Sequence, residues 1–189
     1  GGREIQVAIL GKRKLGAIEL KPKRKFYDYE AKYNTNAKTE HIIPVNLPKS
    51  KLNKVMDLSL KGYFFACQKA SKEMVKRNTA GSLICISSVH SFRAAKEWTP
   101  YGIAKMGIRR MVKGLAADLS GTGINSNCIA PGAINNTIPD DDRIEPEAIN
   151  MPWFPSGRQG LPSDIANSVV FLSSKMGEYI NGETILVDG

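Results

Sequence analysis

Two hydroxyls and one ammonium carry the most legible chemistry in this sequence. Ser88 lies near the end of the apolar run Ser82–Val89 (SLICISSV), Tyr101 follows thirteen residues later, and Lys105 follows four after that, in Tyr-Gly-Ile-Ala-Lys. On a helix, residues i and i+4 lie one above the other, so the phenol and the ammonium are neighbours. A tyrosine with its ordinary pKa of about 10 is a poor acid or base at neutral pH, and a nearby cation lowers that value by favouring the phenolate. Such a pair can serve as a general acid/base. Ser88, fixed at a strand end, can hydrogen-bond a carbonyl oxygen where charge develops. Taken alone, Tyr-x-x-x-Lys is common, and a solvated surface pair is its plainer reading.

The elements that must position these groups alternate. Gln6–Leu10 is a short apolar run opening on Gly11, as a buried first strand would be, and Phe26–Tyr29 and His41–Val45 are candidates for two more strands. From Lys51 to about Arg77 apolar residues recur at helical spacing, with Asn78 and Gly81 bracketing the end. Ser82–Val89 is the clearest buried strand. A second helix is expected over Pro100–Leu119, closed by Gly121 and Gly123. Ile124–Ala130 reads as a strand stopped by Pro131-Gly132, Ser163 as the cap of a helix running to about Ser174, and Thr184–Val187 as a last strand. Strand and helix in alternation imply one α/β domain over residues 1–189, built on a parallel sheet with helices on both faces. Ligands bind such sheets at the carboxyl ends of the strands, which brings Ser87, Ser88, Pro131 and Gly132 forward.

Composition agrees with a folded domain: 189 residues, 42% apolar and 24% charged, exclude wholesale disorder and a fibrous rod. No run approaches 18 uninterrupted apolar residues, so a soluble, cytoplasmic protein away from the membrane is expected. Cys67, Cys85 and Cys128 are odd in number, lack C-x-x-C spacing and sit in apolar runs, which fits reduced buried thiols. With only His41 and His90, no cluster of metal ligands is expected. The net charge of +9 is uneven. Residues 1–80 hold 18 Lys/Arg against 7 Asp/Glu, whereas residues 81–189 hold 9 against 11. That bias suits a phosphorylated cofactor, polyphosphate or nucleic acid, and equally a solvated cationic face.

The order of Ser-Ser at a strand end, Tyr101 and Lys105 on a helix, then a strand ending in Pro-Gly resembles the short-chain dehydrogenase/reductase family. The resemblance covers about residues 51–189 and continues through Arg158-Gln159-Gly160-Leu161-Pro162-Ser163-Asp164-Ile165-Ala166, Val170-Phe171-Leu172-Ser173-Ser174, Tyr179-Ile180-Asn181-Gly182 and Val187-Asp188-Gly189. It implies a Rossmann-type doubly wound sheet, a nicotinamide cofactor, and hydride transfer between an alcohol and a ketone or lactone. Residue by residue, it implies Tyr101 as acid/base, Lys105 lowering its pKa and holding the nicotinamide ribose, Ser88 orienting the substrate oxygen, and Pro131, Gly132 and Ile134 lining the nicotinamide. It also implies a homo-oligomer, a tetramer in this reading.

The sequence departs from the family pattern in places. Ser59 stands where the family usually has an Asn supporting a proton-relay water, and a hydroxyl lacks the amide's two functions. Asn135-Asn136-Thr137 stands where a Pro-Gly-x-x-x-Thr pattern places Thr at 136. The phosphate-binding glycine turn has only a degraded counterpart in Gly11-Lys12-Arg13-Lys14-Leu15-Gly16, with Gly11 and Gly16 as its candidate cofactor residues. The Asn-Asn-Ala-Gly segment is missing, so a polypeptide longer than 189 residues is expected, with segments absent from the amino-terminal half and after Thr137. Asp28 argues for NAD, whereas Arg13 and Lys23–Lys25 tip the expectation to NADP.

Within the family, Ser87-Ser88-Val89-His90 and Pro131-Gly132-Ala133-Ile134-Asn135 most resemble glucose 1-dehydrogenases and related sugar or polyol dehydrogenases, with His90 a candidate substrate contact. A 3-oxoacyl-carrier-protein reductase is the alternative enzyme. A non-catalytic nucleotide-sensing or nucleic-acid-binding protein on the same fold is the alternative of another class, disfavoured by the intact Ser88, Tyr101 and Lys105.

Overall fold

The computed structural model describes the backbone of residues 4–10 and 13–20, together with residues 49–137 and 145–189. Its larger part is a parallel three-stranded sheet in the order β3 (Gly81–Ile86), β4 (Ile124–Pro131), β5 (Thr184–Val187). Before it run α1 (Lys49–Met56), a π-helical turn (Asp57–Lys61) and α2 (Gly62–Lys76). Between the strands lie α3 (Thr99–Asp118) and α4 (Pro162–Ser173).

Successive strand residues point to opposite faces, and β3 shows what covers each face. Leu83 and Cys85 sink into a core with Cys67 of α2, Ile108 and Val112 of α3, and Ile124 and Cys128 of β4. On the other face the Ser82 hydroxyl donates to the Leu172 carbonyl of α4 at 3.3 Å. The sheet is therefore sandwiched between helices, the Rossmann-type arrangement expected. All three cysteines are buried free thiols, with Cys67 and Cys85 Sγ atoms 3.5 Å apart.

The helix expected from Lys51 to Arg77 is continuous in direction but carries the π-turn in its middle, with Ser59 buried inside it. Such single-turn bulges recur at functional sites. Gly107 lets α3 approach closely there, since a Cβ on it would meet the Leu60 side chain at 2.8 Å. Asn78 (φ 50°) and Gly121 (φ 78°) turn the chain out of α2 and α3 in the left-handed conformation.

Three expectations are corrected. Ser163 does not cap α4: the helix begins at Pro162 with Leu161 flanking it, because proline's fixed φ suits the first helical position. Asp164 makes the capping bonds instead, accepting from the Leu161 N–H at 2.8 Å and from Arg158 at 2.7 and 2.9 Å. The Arg158 guanidinium, and then that N–H, hold its carboxyl down at a pKa of about 2.

The other two corrections concern the amino-terminal region. Gln6–Leu10 lies in a strand, β1 (Glu4–Leu10), but β1 pairs antiparallel with β2 (Arg13–Leu20), in a sheet separate from β3–β4–β5. Only Gly11 and Lys12 separate the two strands, a hairpin-length connection too short for a parallel crossover. Gly16 lies within β2 opposite Ala8, so β1 leads into a strand, not into a helix whose amino terminus would face a phosphate. Gly11 and the candidate strands Phe26–Tyr29 and His41–Val45 lie outside the described residues.

Candidate active site

The site forms at the carboxyl ends of β3 and β4. As β3 ends, Ser87 turns its hydroxyl into α3, donating to the Lys105 carbonyl at 2.8 Å. Ser88, extended at φ −165°, accepts a bond from the His90 N–H at 3.2 Å on its Oγ and begins a 3-10 turn over Val89–Ser91. The Ser91 hydroxyl closes that turn on the Ser88 carbonyl at 2.6 Å. Arg109 secures it from α3 by donating to the Ser91 carbonyl at 2.7 Å while its guanidinium lies 3.5 Å from the Phe92 ring centroid.

Tyr101 and Lys105 rise from the first turns of α3 on the same face. The Ser88 side chain lies near enough to the Tyr101 hydroxyl to act on its titration, so both hydroxyls face one site. Lys105 Nζ lies 5.5 Å from the Tyr101 ring centroid and donates to the Ile86 carbonyl at 3.0 Å. The three residues singled out by spacing thus meet in space.

Their electrostatics differ from the expectation in one respect. Burial pushes the Tyr101 phenol above its ordinary pKa, and the Ser88 bond pulls it part of the way back. The Lys105 ammonium sits over the Tyr101 ring and is held to the Ile86 carbonyl. Burial also lowers the Lys105 pKa, opposed by the nearby Cys128 and Cys85. Tyr63 on α2 was missed by the sequence reading: its ring lies 5.6 Å from Lys105 Nζ, and its own pKa is pushed up to about 12, chiefly by burial. Its place four residues after Ser59, on the same helix face, was the available signal.

The carboxyl end of β4 completes the floor. Gly132 packs so tightly on the chain end that a Cβ there would stand 2.4 Å from Asp188 Cβ. Asp188 in turn pairs with Arg93 at 2.8 Å, tying the Ser88 loop to the end of β5. Ile134 is bridged to Gly160, and the Asn135 side chain accepts from both the Thr137 N–H and hydroxyl, so Asn135-Asn136-Thr137 forms a closed turn. Lys105 and the Pro131–Ile134 segment both lie at the carboxyl end of the sheet, where Lys105 Nζ donates to the Ile86 carbonyl at the end of β3. The described residues offer no strand-turn-helix for a pyrophosphate. No cluster of three metal-ligating side chains occurs among the described residues, and no described helix is long and apolar enough to cross a membrane.

Comparison with known proteins agrees with this geometry. The family described as enoyl-(acyl carrier protein) reductase matches residues 34–189. An L-rhamnose-1-dehydrogenase of Scheffersomyces stipitis is 38% identical over 140 residues, covering 73% of this chain and 54% of that protein. A 3-oxoacyl-[acyl-carrier-protein] reductase of Rickettsia bellii is 32% identical over 151 residues, covering 80% and 62%. A solved structure from Agrobacterium tumefaciens, described as a 2-deoxy-D-gluconate 3-dehydrogenase with bound NADP, superposes with a TM-score of 0.67 at 32% identity, covering 79% and 62%. The chain spans little more than half the length of these relatives. A different match is shorter and closer: a D-alanine–D-alanine ligase of Pelagibacter ubique, 64% identical over 58 residues, 31% of this chain and 19% of the ligase. Over residues 34–189, this protein belongs to the short-chain dehydrogenase/reductase family.

Proposed function

We propose that this chain carries the catalytic half of an NAD(P)-dependent oxidoreductase moving a hydride between a sugar or alcohol hydroxyl and the cofactor. The observation that carries the reading is the convergence of Ser88, Tyr101 and Lys105 at the carboxyl end of β3. NAD(P), when bound, supplies the hydride acceptor. Ser88 holds the substrate oxygen, and Tyr101, beside it, takes the hydroxyl proton in oxidation and returns it in reduction. Lys105 is placed to bind the ribose, with Pro131, Gly132 and Ile134 along the nicotinamide. The sugar-oxidising relative supports a sugar substrate, glucose among the candidates, and the acyl-carrier-protein reductase relative keeps a 3-oxoacyl substrate as the second reading.

The amino-terminal segment belongs to another story in this reading. The separate antiparallel β1–β2 sheet and the excess of basic residues before position 80 support an amino-terminal segment of different origin from the dehydrogenase part. Gly16 then belongs to the antiparallel strand pair, not to a degraded phosphate turn. Phe64 and Phe65, large and exposed on α2, support a homo-oligomer built through this helix.

The pH dependence tests the acid/base assignment. Oxidation needs the phenolate, and the raised Tyr101 pKa keeps the phenol protonated through neutrality. The kcat/KM for oxidation is therefore expected to rise about tenfold per pH unit from neutrality to beyond pH 9 with no plateau, while reduction, which uses the phenol, stays flat there. An oxidation rate already level by pH 7 would assign the base to another group.

A further inference from the structure

Trp98 stands three residues ahead of Tyr101 at the start of α3, so indole and phenol approach from one side of the helix. Their ring centroids are 5.3 Å apart at 78°. The His90 imidazole stacks on the indole at 4.5 Å and 11°, and meets the Tyr101 ring edge-on at 6.0 Å and 74°. His90 is also the residue whose N–H donates to Ser88 Oγ. A single aromatic stack thus flanks both hydroxyls that hold the reacting oxygen. Both rings face an open cleft of about 410 Å³, shared with Phe92, Ile103 and Met106.

The approach of Trp98 is held under strain. Glu97, immediately before it, sits at φ 75°, a left-handed conformation that non-glycine residues seldom adopt. Such conformations persist where surrounding contacts over-determine them, and they cluster at ligand sites.

Resting on the reading that this chain oxidises sugars or alcohols, we propose that Trp98, backed by His90, is a specificity-determining wall that favours a cyclic sugar over an acyclic alcohol. A sugar ring presents a face of C–H bonds whose hydrogens carry partial positive charge, and the indole face is negative. Laid against the outer indole face, the ring keeps its edge hydroxyls free for Ser88 and Tyr101. A small acyclic diol offers no such extended face of C–H bonds and gains little from the indole.

Two measurements on the full chain test this. With Trp153, 74% exposed, replaced by Phe, Trp98 is the sole tryptophan, and its emission reports directly on the wall. L-rhamnose is expected to change that emission saturably, and 2,3-butanediol at equal concentration is not. In turnover, Trp98→Ala is expected to lower the kcat/KM preference for L-rhamnose over 2,3-butanediol about tenfold, with Trp98→Phe restoring most of it. No saturable signal with L-rhamnose, or an unchanged preference in Trp98→Ala, overturns the proposal. Sugar binding at Trp98 with no turnover of either alcohol sinks the oxidoreductase reading and leaves the wall standing. Absence of both binding and turnover sinks the two together.

Discussion

Replacing Tyr101 with phenylalanine is expected to reduce hydride transfer by about 10²–10⁴-fold, the range a positioned acid/base contributes. The substitution removes one oxygen. The ring stays wedged against Trp98 and His90, whose edge-on contacts do not involve the hydroxyl, so the fold and the Trp98 emission should be unchanged. Ser88 keeps its bond from the His90 N–H and still offers a donor to the substrate oxygen. Turnover in Tyr101→Phe within tenfold of the parent would place the acid/base elsewhere, with Lys105 the next group to examine.

The second large effect is on stability. Ile108 is fully buried where α3 meets Cys67, Leu83, Cys85, Ile124 and Cys128, and it lies on the turn that follows Lys105. Ile108→Ala deletes three carbons from that core and is expected to destabilise the protein by about 2–5 kcal/mol, as the transfer loss and the cavity add. Against the roughly 5–15 kcal/mol of a typical domain this is a large share. Urea unfolding should show a midpoint lowered by about 1 M or more with an unchanged slope. Val75→Ala, on the exposed side of α2, is the control, expected within about 0.5 kcal/mol. An equal, small change in both variants would mean that the core does not close around Ile108.

How much of this was legible in the sequence depends on whether local chemistry decided it. Tyr101 and Lys105 were readable because a helix fixes the spacing of i and i+4, and Ser88 because an apolar run must end where polar side chains begin. Thr184–Val187 and the two long helices followed from periodicity alone. The π-turn was not readable: Asp57–Lys61 has no residue that demands it, and only packing against Leu60 and Gly107 reveals it. Trp98 was passed over because ring stacking joins His90 and Trp98 across a loop, a contact that no period encodes. The direction of the Tyr101 pKa was misjudged because adjacency to Lys105 was weighed without burial. The amino-terminal error had a different source. Val7-Ala8-Ile9-Leu10-Gly11 satisfies the pattern of a first parallel strand, and expectation from the rest of the chain carried the two-residue link to Arg13 past notice.

The most direct test of the account is hydride transfer by the full chain, with L-rhamnose and each of NAD⁺ and NADP⁺ titrated upward, followed by the absorbance of the reduced cofactor. The predicted result is cofactor reduction that depends on the sugar and is lost in Tyr101→Phe. No cofactor reduction at any concentration, or reduction undiminished in Tyr101→Phe, would contradict it.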